Sequence, residues 1–201
     1  MKKALCGLLF FVLALPFLAF ADSPPAKEIR IYQDASYSGS ASNLSRNQAN
    51  LVNTGWNDKI SSIQLGSDVL KVIVYEHINY KGKKNTIKGN TNFGGTWWND
   101  KISSLEIYLM PEPPASGTVR FYWDGEYSGS SFEASGVQED ANLVDSGWND
   151  RISSIMIGSA AKVKVCEHIN FGGTCKTYQS NVDFSGTWWN DKVSSYRVLP
   201  K

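Results

Sequence analysis

The chain has 201 residues, 42% of them hydrophobic and 19% charged, with a formal net charge of +1. Such a length permits one large or two small domains. Nothing in this balanced charge resembles the basic face expected of a nucleic-acid binder, and beyond the N-terminus no apolar run approaches membrane-spanning length.

Residues 1–21 read as an export signal rather than as part of the fold. Lys2 and Lys3 form a positive n-region, Leu8 to Leu15 an apolar h-region, and Ala19-Phe20-Ala21 sets small residues where a signal peptidase reads. Pro16 interrupts the apolar stretch, which favours removal over retention as an anchor. Cys6 lies too early for a lipoprotein cleavage site. The mature chain is expected to start at Asp22 and to be secreted or periplasmic. Without Lys2 and Lys3 it carries 18 basic against 19 acidic residues, a net of −1. Residues 22–28 read as a loose tail.

From residue 29 onward the chain repeats itself. Residues 30–66 match 120–158, and residues 72–107 match 163–198, an A-B-A-B order. This implies a two-repeat unit that was itself duplicated. The expected domains are 29–108, with repeats 29–66 and 71–108, and 118–200, with repeats 118–158 and 162–200. Between them Met110-Pro111-Glu112-Pro113-Pro114-Ala115-Ser116-Gly117 reads as a short stiff linker, placed at 109–117.

Within the repeats the signal is β. Lys71-Val72-Ile73-Val74-Tyr75 and Lys162-Val163-Lys164-Val165 are rich in β-branched residues, and Ile63-Gln64-Leu65, Leu105-Glu106-Ile107 and Tyr196-Arg197-Val198 continue with period two. Turn formers such as Ser38-Gly39, Lys81-Gly82 and Gly172-Gly173 separate them. Short strands with frequent turns predict an all-β fold of antiparallel sandwiches.

Two strings recur in every repeat. Trp-Asn-Asp-x-x-Ser-Ser stands at Trp56–Ser62, Trp98–Ser104, Trp148–Ser154 and Trp189–Ser195. From Asn57 to Asn149 is 92 residues, and from Asn99 to Asn190 is 91. The second string is an aromatic, four residues, an aromatic, one residue and glycine: Tyr32…Tyr37-Ser38-Gly39, Tyr75…Tyr80-Lys81-Gly82 and Tyr122…Tyr127-Ser128-Gly129. In the fourth repeat Cys166 replaces the leading aromatic before Phe171-Gly172-Gly173.

Cys166 and Cys175 survive signal removal. They fall opposite Tyr75 and Lys84 of the sister repeat, so both occur in one repeat and both are absent from the other. In an exported protein this paired replacement favours a local disulfide across a hairpin. Two independent free thiols are the alternative. A zinc set lacks a suitably spaced His.

The two strings together resemble the Greek-key motif of the βγ-crystallins, especially the calcium-binding microbial branch, over essentially all of residues 29–199. The resemblance implies two βγ-crystallin domains in tandem, each of two Greek keys forming a pair of four-stranded sheets. The glycine of the aromatic string would permit the backbone of a folded hairpin, and the aromatics would pack over it.

The turns themselves offer hard ligands. Each supplies Asp, Asn, Ser hydroxyl and exposed carbonyls without sulfur or imidazole, which suits Ca²⁺ better than softer metals. In the family resembled, two turns meet crosswise around each ion. Carried over, one site would use the Gln33 and Lys59 carbonyls, the Ser61 hydroxyl and the Asp100 carboxylate. A second would use Glu76, Lys101, Ser103 and Asp58. In the second domain Trp123, Arg151, Ser153 and Asp191 would form a third, and Glu167, Lys192, Ser194 and Asp150 a fourth. Up to four Ca²⁺, two per domain, are therefore expected. An isolated Asn-Asp-x-x-Ser-Ser would be only a turn closed by Asx and Ser side chains. The first Asn of each pair is expected to hold the loop shape rather than touch the ion.

Other residues fit plainer roles. In Trp97-Trp98 and Trp188-Trp189 one member is expected in the core and the other exposed. His77 and His168, beside Glu76 and Glu167, read as structural or surface residues, and no catalytic nucleophile–base signature stands out. The expectation is a non-enzymatic, monomeric, exported protein that Ca²⁺ stabilises in a structural or stress-protective role. A calcium-supported carbohydrate-binding or adhesion module, contacting a glycan or cell surface through exposed Trp, is the alternative.

Overall fold

The computed structural model describes residues 23–201, which form two compact units. The export signal expected at 1–21 lies outside the described residues.

The first unit contains β1 (Ile29–Asp34), β2 (Ser38–Leu44), β3 (Ser62–Leu65), β4 (Val69–His77), β5 (Lys81–Ile87), β6 (Thr91–Asn92) and β7 (Ser104–Leu109). One sheet runs β2-β1-β3-β6 and the other β5-β4-β7. Alternation along the strands sends Ile29, Ile31, Ile63, Val72 and Val74 inward, where they are fully buried with Leu105. The two repeats exchange strands. β6 belongs to the second repeat yet pairs with β3 of the first, Ser62 opposite Asn92. In return Gln48 of the first repeat bridges Leu105 in β7.

The second unit repeats this plan with β8 (Thr118–Asp124), β9 (Ser128–Ser135), β10 (Gln138–Asp140), β11 (Ser154–Ile157), β12 (Ala161–His168), β13 (Gly172–Tyr178), β14 (Val182–Asp183) and β15 (Ser195–Pro200). Its sheets run β14-β11-β8-β9 and β10-β15-β12-β13. The core gathers Val119, Phe121, Leu143, Ile155, Val163 and Val198, with Phe132, Trp148 and Trp189 packed against it.

Paired four-stranded sheets therefore appear in the second unit, whereas the first has four strands and three. The counterpart of β10 shrinks to the single Gln48–Leu105 bridge. Six residues separate Leu44 from Leu51, against eight between Ala134 and Leu143. The two additional residues give β10 room to run along β15, where Glu139 also holds Arg197 at 2.5 Å.

Each repeat opens with a tightly folded hairpin. Between β8 and β9, Glu126 and Tyr127 both have φ of 55°, and Gly129 follows at 76°. A Cβ on Gly129 would lie 2.3 Å from Asp124 Oδ2, so only glycine fits this corner. The ring centroids of Tyr122 and Tyr127 sit edge to face at 6.2 Å, as Tyr32–Tyr37 do at 6.0 Å and Tyr75–Tyr80 at 5.7 Å. In the fourth repeat, where Cys166 stands for the aromatic, a Cys166–Cys175 disulfide ties β12 directly to β13.

Candidate metal centre

The four Asn-Asp turns are built alike. The aspartates are left-handed, with φ of 53° at Asp58, 55° at Asp100, 54° at Asp150 and 55° at Asp191. Asp tolerates this region because its short polar side chain bonds locally. Two residues on, Ile60, Ile102, Ile152 and Val193 are completely buried and pull each turn onto the core. The preceding asparagine steadies the carboxylate: Nδ2 of Asn57, Asn99 and Asn149 donates to Oδ2 of the following Asp at 2.7 Å, and that of Asn190 at 2.6 Å. The opposite orientation of the amide would set oxygen against oxygen. The observed orientation leaves Asn57 Oδ1 and Asn149 Oδ1 buried without a hydrogen-bond partner, a cost offset by aiming the N–H at the carboxylate.

The exchange of strands brings the turns together in pairs, and the pairing is reciprocal. Asp58 N–H donates to Ile102 O at 3.1 Å while Asp100 N–H donates to Ile60 O at 3.2 Å. Asp150 and Asp191 do the same with Val193 O and Ile152 O, at 3.1 and 3.3 Å. Side chains follow the backbone. Ser61 Oγ donates to Asp100 Oδ1 at 3.0 Å and Ser103 Oγ to Asp58 Oδ1 at 3.2 Å. Ser153 Oγ reaches Asp191 Oδ1 at 2.9 Å, and Ser194 Oγ reaches Asp150 Oδ1 at 3.3 Å.

The predicted sets are assembled to different degrees. The single Ser103 hydroxyl proton is shared between Asp58 Oδ1 and the nearer Glu76 O at 2.8 Å, and that of Ser194 between Asp150 Oδ1 and the nearer Glu167 O at 2.7 Å, so serine, aspartate and carbonyl converge in the second and fourth sets. Lys101 and Lys192 follow their aspartate or its partner in those same turns. In the first set Gln33, Lys59, Ser61 and Asp100 line one open cleft of about 580 Å³, which Asp58 also borders. In the third, Ser153 and Asp191 are bonded, and the Arg151 guanidinium lies 4.4 Å from the Trp123 ring centroid.

These oxygens are held at hydrogen-bond distances, which are compatible with the spacing of ligands around a hard cation. Neighbouring ligands in a pentagonal ring about 2.4 Å from Ca²⁺ lie roughly 2.8 Å apart. The observed separations of 2.7–3.3 Å match this, and the groups are carboxylate, hydroxyl and carbonyl throughout. Among the described residues no three His, Cys, Asp or Glu side chains cluster. A set with one carboxylate each does not require such a cluster.

The second serine of each pair has a role that the sequence reading missed. Ser62, Ser104, Ser154 and Ser195 are fully buried. Ser154 Oγ donates to Asp124 O at 2.7 Å and accepts from Tyr127 N–H at 3.0 Å, latching the folded hairpin, and its three counterparts bond alike. The first serine serves the turn and the second the hairpin. The signal was the doubling of serine in all four copies. Trp97 and Trp188 are exposed while Trp98 and Trp189 are half-buried. His77 and His168 are exposed, each with its ring against the hairpin glycine.

Strand-exchanged Greek keys with paired Asn-Asp turns define a class of two-key β-sandwich. A family profile described as Beta/Gamma crystallin matches residues 26–93 and 115–185. The chain belongs to the βγ-crystallin family. Among solved structures it is similar to a βγ-crystallin domain from Clostridium beijerinckii, at 31% identity over 41% of this chain and 97% of that one, TM-score 0.37. A domain from Flavobacterium johnsoniae gives 32% identity over 41% and 94%, TM-score 0.37. A domain of Abundant Perithecial Protein from Neurospora crassa, solved in its Ca²⁺-bound form, gives 22% over 45% and 97%, TM-score 0.40. No curated protein matches the chain.

Proposed function

We propose that this chain is an exported, non-enzymatic calcium-binding βγ-crystallin in which up to four Ca²⁺ hold the paired turns together. The observation that carries the reading is the crosswise contact of Ser61 with Asp100, Ser103 with Asp58, Ser153 with Asp191 and Ser194 with Asp150. Each ion would replace a serine hydroxyl proton as the bridge between the two turns. One carboxylate per ion gives roughly micromolar to sub-millimolar affinity, suited to extracellular calcium. At calcium ~100 times the dissociation constant each site adds about 2.7 kcal/mol of stability. Differential scanning calorimetry with calcium and with chelator tests this, since coincident melting curves would sink it. A calcium-supported carbohydrate-binding or adhesion role is the second reading, favoured by exposed Trp97 and Trp188. Glycan arrays with and without calcium separate the two.

A further inference from the structure

Among the described residues ten large hydrophobics are conspicuously exposed, and six of them fall at three equivalent positions of the two units. They are Val52 and Val144 (57% and 56% exposed), Ile78 and Ile169 (40% and 43%), and Trp97 and Trp188 (45% and 55%). The offsets, 92, 91 and 91, are those of the Asn-Asp turns themselves. Duplication of the unit sets the register, and all three apolar residues are identical in the two copies.

All three positions sit at the end of the sandwich that carries the paired turns. Val52 follows Leu51, whose N–H donates to Ser103 O at 3.0 Å. Ile78 precedes Asn79, whose N–H donates to Ala49 O at 2.6 Å. Trp97 is three residues before Asp100 in the same loop. In the second unit Leu143 N–H donates to Ser194 O at 3.0 Å, and Asn170 N–H to Ala141 O at 2.7 Å.

A second observation concerns charge. The residue after each turn aspartate is basic and exposed in all four copies: Lys59, Lys101, Arg151 and Lys192. A like charge beside a cation site weakens it, so calcium retention alone does not account for four of them. An anionic partner does. Lys83 adds a further ammonium 4.2 Å from the Trp97 ring centroid.

Coordination points the same way. Each predicted set offers four protein oxygens, while Ca²⁺ takes roughly six to eight, which leaves about two to four positions for oxygens from elsewhere. With one carboxylate the bound ion keeps a net positive charge.

We propose that the turn-bearing end of each unit is a calcium-dependent docking surface for anionic phospholipid membranes, with headgroup phosphates completing the Ca²⁺ shell. Trp97 and Trp188 take the interfacial level, where an aromatic ring with a polar edge is favoured. Val52, Ile78 and their counterparts enter the acyl boundary, and the four basic residues meet the negative surface. Each basic residue near such a surface strengthens partition by about fivefold. The aliphatic members decide for lipid over sugar, because valine and isoleucine give a saccharide neither a stacking face nor a hydrogen bond.

The inference rests on the calcium reading above, and the test keeps the two apart. The full-length mature protein is co-sedimented with phosphatidylserine/phosphatidylcholine vesicles, with phosphatidylcholine vesicles and with neither, in calcium and in chelator. Calcium heats are measured on the same preparations by titration calorimetry. Binding is expected only with phosphatidylserine and calcium. Trp97→Ala with Trp188→Ala should weaken it about tenfold, and Lys83→Gln, beside the Trp97 ring, should lower it and flatten its salt dependence. These three changes lie outside the ligand sets and should leave the calcium heats unaltered. Undiminished calcium heats without vesicle binding overturn the membrane proposal and leave the calcium reading standing. So does a Trp-dependent glycan signal without sedimentation, which would make the surface a sugar site. Absent calcium heats overturn both.

Discussion

Crosswise ligation makes a prediction that no single-turn site would make. Replacing Asp58 should remove the site whose serine is Ser103, and replacing Asp100 the site whose serine is Ser61. Asn is the informative substitute. Asp58 sits at φ 53°, where Ala would add backbone strain of about 1 kcal/mol or more and confuse the result. Asn tolerates the left-handed region and can still accept from Ser103, and Asn57 can turn its amide oxygen towards the new Nδ2, so Asp58→Asn removes the charge and weakens one hydrogen bond. Without calcium the cost should be about 1 kcal/mol, the worth of one weakened hydrogen bond. With calcium ~100-fold above the dissociation constant the lost site is worth about 2.7 kcal/mol. In a unit of this size that lowers the melting temperature by roughly 10–20 °C. Titration calorimetry should show one class of heats lost in each single variant and both lost in the double variant. Equal calcium heats for Asp58→Asn and the unaltered chain would refute the argument. So would loss of the Ser61 set instead of the Ser103 set, read by combining each variant with Ser61→Ala or Ser103→Ala.

The two serines of each pair should behave oppositely. Ser154→Ala leaves Asp124 O and Tyr127 N–H without their bonds and should cost about 2–4 kcal/mol in denaturant melts, with or without calcium. Ser153→Ala should matter chiefly when calcium is present. The disulfide closes a loop with a sequence separation of 9, so Cys166→Ala/Cys175→Ala should destabilise the second unit by about 2.6 kcal/mol in chelator on the chain-entropy relation. Equal melting midpoints would refute that. Burial, aided by Asp140, pushes the Tyr196 hydroxyl up to about 12 from an ordinary value of 10. The folded state thus favours the neutral phenol, and its contribution is fully present below pH 10 and is lost as pH rises from 10 towards 12. Melts across that range, with tyrosinate absorbance followed in parallel, should show this loss, and Tyr196→Phe should reduce it.

Much of the fold is legible in the chain because its information is local and repeated. The aromatic string ending in Gly39, Gly82, Gly129 and Gly173 specifies a hairpin whose left-handed corner admits no side chain. Ile60, Ile102, Ile152 and Val193 fix the inward face of each turn. Paired replacement of Tyr75 and Lys84 by Cys166 and Cys175 anticipates a cross-strand bond, because residues facing each other on a hairpin vary together.

Other features depend on contacts that no local pattern contains. The latch formed by Ser62 and its three counterparts shows in the sequence only as a doubled serine, since hydroxyls two dozen or more residues away from their acceptors carry no periodic signal that would name the partners. The reduction of a fourth strand to the Gln48–Leu105 bridge follows from a two-residue difference in loop length, whose effect appears only when the strand must reach its partner. The candidate cation sites lie between these cases. By itself the sequence determined the chemistry of the turns, four sets of hard oxygen donors at a fixed spacing, because ligand hardness is a property of residue type. Only the tertiary structure decided which donors meet. The exchange of β6 and β14 into the neighbouring repeat's sheet brings Asp58 to Ser103 and Asp150 to Ser194. Convergence in space is set by strand pairing across the whole sandwich and cannot be read from any one turn.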